Sequence, residues 1–348
     1  MQENVLSLRI RDIIFETSDT RTFVLELADG GSLTYEAGQF LTFLLHVNGH
    51  EIRRSYSMSS TPGVDAYPAV TIKRVTNGEI SRYWHDHVEV GTLLTALRPA
   101  GRFTLEPAEG TARDIVLIGA GSGITPLFSI LKYVLTQELE SRVTLLYASR
   151  RERSIIFGKQ LDDWQRRYPR RLEIRHVLSQ PTDDWLGTRG RINNFRLERM
   201  MAKGLHFAPE RARFFLCGPF ELMRTAEITL RFMGFENDQI RKENFVIDPA
   251  PPPPVRSEPH TIQLTFRSKT YTLEVPAYTT ILQAGLEQGI PIPYSCRGGR
   301  CATCAAICRT GSVRMSINDV LTERDLAQGW VLTCTAYPES EGVVMEVV

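Results

Sequence analysis

No stretch of this chain is both long and apolar enough to span a bilayer; nothing approaches the roughly 20 residues a crossing helix needs. Charge of one sign is missing as well. Among 348 residues, 41 Lys plus Arg face 40 Asp plus Glu, which argues against nucleic acid or an anionic membrane held by bulk electrostatics. Met1 to Ile10 lacks a basic stretch followed by an apolar one, so it does not read as a signal peptide and a cytoplasmic protein is expected. Internal repeats are absent. Cysteine is scarce, six in all, too few for a disulfide framework in a chain of this length. Five of the six nevertheless fall after residue 295. Such crowding needs a local cause, and metal ligation is the leading one.

The length allows two or three domains. One boundary is plain. Asp248-Pro249-Ala250 runs into Pro251, Pro252, Pro253 and Pro254, a stretch that cannot build a hydrogen-bond ladder and acts as a semi-rigid spacer. Before it, the texture changes near residue 111. From Leu6 to Leu105, short β-rich runs such as Thr22–Leu27, Phe40–Val47 and Ala69–Val75 end in Asp-Gly or Asn-Gly turns. These predict a small antiparallel barrel or sandwich. From Asp114 onward, buried strands (Asp114–Ile118, Arg142–Ala148, Leu172–Val177, Arg213–Cys217) alternate with helices (Pro126–Thr136, Gly158–Tyr168, Pro219–Met233). That alternation predicts a parallel, doubly wound sheet. After the prolines, Thr261–Phe266 and Lys269–Val275 read as a hairpin, and Thr280–Gln288 as a short helix before the cysteine-bearing loop. The expected division is 1–110, 111–248, a linker at 249–258, and 259–348.

In that loop the spacing is Cys296-x4-Cys301-x2-Cys304, with Cys334 following at a distance. It matches the plant-type [2Fe–2S] pattern. Four thiolates on two irons leave a net-negative cluster whose sulfurs need backbone N–H donors, so the loop must wrap tightly, as Gly298 and Gly299 permit. The rival is a four-cysteine zinc site, which would want paired C-x2-C knuckles; only one such pair exists. Cys308, beside Ala305, Ala306 and Ile307, reads as a small buried side chain rather than a ligand.

Two further segments carry chemistry. Gly119-Ala120-Gly121-Ser122-Gly123-Ile124-Thr125-Pro126 lies between a strand and a helix, where glycines admit a pyrophosphate to the unpaired N–H groups of a helix start. Many glycine turns are merely tight, but this setting favours a dinucleotide site. At the end of the second strand stand Ser149, Arg150 and Arg151 instead of the acidic residue that binds a ribose hydroxyl. They suit a 2′-phosphate, so NADPH is favoured over NADH; a solvated basic turn is the alternative. Cys217, with Gly218 and Pro219, would lie at the ligand-binding edge of the sheet, or simply in the core. In the barrel, Arg54-Ser55-Tyr56-Ser57 combines a cation, a ring and hydroxyls able to grip a flat phosphorylated ring, unless the strand is merely exposed and polar. Ile72-Lys73-Arg74 follows, and Gly78 and Ser81 open an amphipathic helix whose start is a second phosphate site.

Together these motifs resemble the ferredoxin–NADP reductase superfamily, and within it the reductases with a C-terminal ferredoxin domain that serve phenylacetyl-CoA epoxidase and ketosteroid hydroxylase systems. The resemblance covers nearly the whole chain. It implies a flavin barrel, an α/β nucleotide domain and a β-grasp ferredoxin domain. Arg54 would bind the flavin pyrophosphate, Tyr56 pack on the ring, Ser57 approach N5, and Ser55, Ile72, Lys73, Arg74, Gly78 and Ser81 complete the flavin site. Gly119, Gly121, Gly123, Thr125 and Pro126, with Ser149, Arg150, Arg151, Gly218 and Pro219, would hold the nicotinamide nucleotide. Cys217 and Glu243 would join Ser57 at the reacting centre, and Phe245 would close over the flavin. FAD is the implied flavin, with FMN in some relatives. The implied activity is electron transfer from NAD(P)H through flavin to the cluster, then singly to an oxygenase, hydroxylase or desaturase, by a monomer. A non-catalytic redox sensor and a zinc-bearing interaction protein are the rivals.

Overall fold

Residues alternating between apolar and polar draw the first hundred residues into antiparallel strands. In this computed structural model, residues 5–245 and 257–347 are described, except 48, 77, 107, 109, 202 and 203. The chain divides into two compact units, 1–245 and 246–348. The prolines of the expected linker lie outside the described residues as far as 256.

The first unit begins with β1 (Val5–Thr17), β2 (Thr20–Leu27), β3 (Phe40–Val47), β4 (His50–Ser57), β5 (Ala69–Lys73), helix α1 (Glu79–His87) and β6 (Leu93–Leu97). The strands form one sheet in the order β4-β3-β6-β1-β2-β5. A bridge between Met58 and Val70 links its two edges and closes the barrel. Period-two alternation sends Leu8, Ile10, Phe23, Leu25, Leu41, Phe43, Val70 and Ile72 inward. Helix α1 contributes Trp84, fully buried against the rings of Phe23 and Phe43 at 4.8 and 4.9 Å.

The same unit continues with β7 (Asp114–Ala120), α2 (Ile124–Gln137), β8 (Arg142–Ser149), α3 (Gly158–Arg167), β9 (Leu172–Leu178), β10 (Thr188–Arg189), α4 (Asn194–Met201), β11 (Arg213–Cys217), α5 (Phe220–Phe232) and β12 (Ile240–Glu243). The sheet is parallel, in the order β10-β9-β8-β7-β11-β12. Both faces are covered, so β7 is apolar from Ile115 onward: Ile115 and Leu117 pack under α2 and α3, Val116 and Ile118 under α4 and α5. Its neighbours are β8 on one side and β11 on the other. This makes the carboxyl end of β7 the switch point where such sheets bind ligands. The helix expected from Pro126 starts at Ile124, and the proline fits because its first turn lacks helical N–H partners anyway. Barrel and sheet share a core through Ala37 and Phe103, which pack with α2.

The second unit holds β13 (His260–Phe266), β14 (Lys269–Val275), α6 (Ile281–Glu287), β15 (Ala305–Thr310), β16 (Val313–Met315), α7 (Glu323–Ala327), β17 (Trp330–Leu332), β18 (Ala336–Pro338) and β19 (Val344–Val347). A mixed sheet, β14-β13-β19-β15-β17, wraps α6 in a β-grasp, and β16 pairs with β18. Thr280 Oγ1 caps α6 by accepting from the Gln283 N–H at 3.2 Å. Among the described residues, no helix is long and apolar enough to cross a membrane.

Candidate functional site

Cross-strand register fixes the flavin-type strand. On β4, Arg54, Ser55, Tyr56 and Ser57 stand opposite Phe43, Thr42, Leu41 and Phe40 of β3. Ser55 and Thr42 share a hydrogen bond of 2.9 Å between hydroxyls. Tyr56 leans on the edge of Trp84, ring centres 5.7 Å apart, and its burial pushes the phenol pKa well up. Arg54 is half-buried and donates to Arg53 O at 2.8 Å. Ile72 points into the barrel core, so only its backbone faces outward; its carbonyl lies 2.9 Å from His85 Nε2. Lys73 and Arg74 pair with Asp19 (3.5 Å) and Asp86 (3.0 Å). At the start of α1, Ser81 Oγ accepts from the Val75 N–H at 3.0 Å and donates to Gly78 O at 3.2 Å, a tight turn that presents the first N–H groups of the helix.

The glycine loop is built by backbone contact. Gly119 ends within β7 beside Cys217, and a Cβ on Gly123 would fall 2.0 Å from Cys217 O. Only glycine lets the two loops meet there. Thr125 Oγ1 donates to Ser122 O at 3.0 Å, and Tyr147 OH to Gly121 O at 2.9 Å, bracing the turn from both ends. Pro126 is buried in the first turn of α2. At the end of β8 the Ser149 hydroxyl is buried, with only the Tyr147 hydroxyl in loose reach among the described residues and no well-formed hydrogen bond. Such an orphan, at the ligand edge of the sheet, fits a bound nucleotide that would satisfy it. Arg150 and Arg151 beside it are exposed, and neither forms an ion pair with a described residue.

Barrel and sheet converge on three side chains. Cys217 of β11 is in register with Gly119 on one side and Glu243 of β12 on the other. Ser57 Oγ donates to Glu243 Oε2 at 2.7 Å, between residues 186 positions apart. Burial raises the Glu243 carboxyl to about 7, with the Ser57 bond opposing part of the rise. Burial, then the neighbouring Glu243, pushes the Cys217 thiol well up, so it stays uncharged. Gly218 and Pro219 lead directly into α5, and Phe245, two residues past Glu243, is partly exposed.

Sequence reasoning missed the ties behind this junction. Ser129 Oγ of α2 donates to Ser60 O at 2.5 Å, and Thr61 Oγ1 donates to Ser129 O at 2.9 Å. Lys132, nearly buried, pairs with Asp65. A lone lysine inside the apolar run Pro126–Leu135 was the available signal.

In the second unit, the cysteine loop turns through left-handed residues at Arg297, Gly299 and Ala302. Cys304 and Cys334 are buried; Cys296 and Cys301 are half-buried. The thiols lie within hydrogen-bond reach in the pairs Cys296–Cys301, Cys304–Cys334 and Cys296–Cys334. The Cys301 and Cys334 thiols, then the Gly298 and Arg300 N–H groups, hold Cys296 below its usual pKa. The Gly298 N–H donates to Cys296 Sγ at 3.4 Å, and Cys301 Sγ lies 3.2 Å from Thr303 Oγ1. Among the described residues no three His, Cys, Asp or Glu side chains gather as ligands of one ion. Four thiols linked through these contacts, with N–H donors aimed at sulfur, fit the thiolate ligation and N–H donation that a [2Fe–2S] cluster needs. Cys308 is half-buried rather than buried. It sits on β15 at a bulge between Cys308 and Thr310, packs against the core of the second unit and donates its thiol to Thr310 O at 3.3 Å.

Three family models match the chain. They are an oxidoreductase FAD-binding domain over residues 7–105, an oxidoreductase NAD-binding domain over 117–227 and a 2Fe-2S iron-sulfur cluster binding domain over 264–339. The chain is 34% identical to the ferredoxin reductase component of 3-ketosteroid-9-alpha-monooxygenase from Mycobacterium tuberculosis, covering 98% of this chain and 95% of that protein. It is 33% identical to one component of 1,2-phenylacetyl-CoA epoxidase from Escherichia coli, covering 98% and 97%. Among solved structures, phthalate dioxygenase reductase shares the fold at a TM-score of 0.60 and 22% identity, over 99% of this chain and 98% of that one. An intact self-sufficient cytochrome P450 monooxygenase does so at 0.75 and 21%, over 98% of this chain, which spans 41% of its length.

Proposed function

Because this chain belongs to the ferredoxin–NADP reductase superfamily, among the reductases with a C-terminal [2Fe–2S] domain, we propose that it serves a partner oxygenase or hydroxylase as its dedicated electron donor. It is an NAD(P)H-dependent oxidoreductase with sites for FAD and a [2Fe–2S] cluster. When bound, the flavin converts a two-electron hydride into single electrons, and a plant-type cluster carries them one at a time at roughly −400 mV.

The observation that carries the reading is the buried Ser57–Glu243 hydrogen bond, which brings the flavin-type strand of the barrel to the ligand edge of the nucleotide sheet. Ser57 stands at that junction and can turn its proton from Glu243 toward a ring nitrogen. Glu243, with its carboxyl near 7, holds or takes a proton at Oε2 around neutral pH. Cys217, kept as a neutral thiol, lines the junction without adding a nucleophile. Arg54, Ser55, Tyr56, Lys73, Arg74, Gly78 and Ser81 grip the flavin, with Ile72 contributing its backbone and Phe245 covering the ring. Gly119, Gly121, Gly123, Thr125, Pro126, Ser149, Gly218 and Pro219 hold the nucleotide, and Arg150 and Arg151 favour a 2′-phosphate. Cys296, Cys301, Cys304 and Cys334 ligate the cluster. The domains run 1–110, 111–248 and 259–348 in a cytoplasmic monomer, with 249–258 as linker.

Anaerobic mixing with NADPH and NADH in parallel, followed by reoxidation with a Rieske oxygenase, a di-iron hydroxylase, a desaturase or a cytochrome, tests this reading. Flavin bleaching faster with NADPH, and turnover with one acceptor class, is expected. Ser57→Ala should slow bleaching by about a hundredfold or more. A colourless protein holding zinc, or one that never turns over with any one-electron acceptor, would refute it.

A further inference from the structure

A short strap, residues 316–319, joins the two parts of the second unit that carry the cysteines. Beside Cys334, the Ser316 N–H donates to Thr335 O at 2.9 Å, and Thr335 Oγ1 donates to Ile317 O at 2.8 Å. At the other end, the Asp319 N–H donates to Gly299 O at 3.0 Å, inside the loop of Cys296 and Cys301. Gly299 sits at φ +74, and a Cβ there would lie 2.7 Å from Ile317 O, so loop and strap touch backbone to backbone. Asn318 stiffens the turn: Oδ1 accepts from the Leu321 N–H at 2.8 Å, and Nδ2 donates to Leu321 O at 2.9 Å. Held this way, Asp319 Oδ2 accepts from Arg300 Nε at 3.0 Å. The Arg300 side chain is only 11% exposed against 38% for Asp319. Arg300 is the residue immediately before Cys301, and its backbone N–H reaches the sulfur of Cys296.

We propose that Arg300 and Asp319 form a charge-balanced clamp that positions the cysteine loop and sets the reduction potential of the cluster. The inference rests on reading Cys296, Cys301, Cys304 and Cys334 as its ligands. Reduction adds one negative charge to the cluster. A guanidinium largely withdrawn from water, on the residue that directly precedes the ligand Cys301 and whose backbone N–H reaches Cys296, favours the reduced form. A carboxylate in the same place opposes it. Arg300 is the more buried partner, so its charge weighs more than that of Asp319. Loss of either partner loosens the same contact, but the two losses change the local charge in opposite directions. Sign therefore separates a potential-setting role from plain packing.

The test is a potentiometric titration of the full-length protein carrying its cluster, followed by the electron paramagnetic resonance signal of the reduced centre, with iron and acid-labile sulfide counted in every sample. Arg300→Gln should lower the midpoint, cutting the equilibrium constant for reduction about tenfold, which is about 59 mV for one electron. Asp319→Asn should raise it, by about threefold in the same constant, or about half that span. The double variant R300Q/D319N should return to within about threefold of the unaltered protein. Arg300→Lys, which keeps the charge and loses the planar fork, should stay equally close. Single variants that both move the midpoint the same way, or that leave it unmoved with full cluster content, overturn the proposal. Should Arg300→Gln fail to hold a cluster, Asp319→Asn and Arg300→Lys decide, and a midpoint that falls or stays still in Asp319→Asn sinks it. If the unaltered protein holds no centre with two irons and two sulfides, the ligand reading itself fails and the clamp with it.

Discussion

Glu243 is a carboxyl with almost no water around it, hydrogen-bonded by Ser57 and adjacent to Cys217. Its folded value of about 7 lies above the ordinary value near 4.3, so the native state binds this proton more tightly than the unfolded chain does. The associated stability is fully present below about pH 4.3 and is lost as pH rises through about 7. Glu243→Gln cannot ionise, so thermal unfolding of the variant should change less between pH 5 and pH 8 than that of the unaltered protein. The gap should amount to a few kcal/mol at pH 8 in the variant's favour. Parallel pH profiles would contradict the burial argument. At this scale the sequence was legible where a motif is local: four cysteines at fixed spacing, and a glycine run after an apolar strand. Glu243 itself was reached only through family resemblance, because a lone Glu in Arg241-Lys242-Glu243 looks like any solvated charge.

At the scale of elements, the loop from β7 into α2 is pressed against the end of β11 so closely that Gly123 cannot carry a side chain without moving Cys217 or Gly218. Gly123→Ala should therefore cost about 1–3 kcal/mol, as overpacking does, and raise KM for the nucleotide. Calorimetry and steady-state kinetics together check it; an unchanged KM with an unchanged melting temperature would show that the loop gives way freely. Long, two-face-buried strands such as β7 and β8 were readable because their apolar runs leave no alternative. The short strands β10, β12 and β15–β19 were not, since two to six residues with mixed polarity gain their pairing from neighbours rather than from their own pattern.

On the scale of the whole first unit, the barrel and the nucleotide sheet are tied where the loop after β4 meets α2, through Ser60, Thr61, Ser129 and the Lys132–Asp65 pair. Burial lowers the Lys132 pKa and the Asp65 charge opposes that fall, which marks an ammonium dependent on its partner. Asp65→Asn would strand that charge. A loss of about 2–3 kcal/mol is expected, below the full figure for a buried pair because Asp65 keeps some water. Scanning calorimetry reads it, and adding Lys132→Met should recover most of the loss. A single variant as stable as the unaltered protein would show that the pair contributes nothing.

The sequence alone determined which groups this protein can hold. A cluster needs thiolates at close spacing and a pyrophosphate needs glycines before a helix; three of the four thiolates, and the whole glycine loop, each lie within a dozen neighbouring residues. Tertiary structure decided what those groups face. Ser57 meets Glu243 across 186 positions, Lys132 meets Asp65 across 67, and Arg300 meets Asp319 across a strap that also braces Cys334. Contacts of that kind depend on how strands close and helices pack, and no local pattern encodes them.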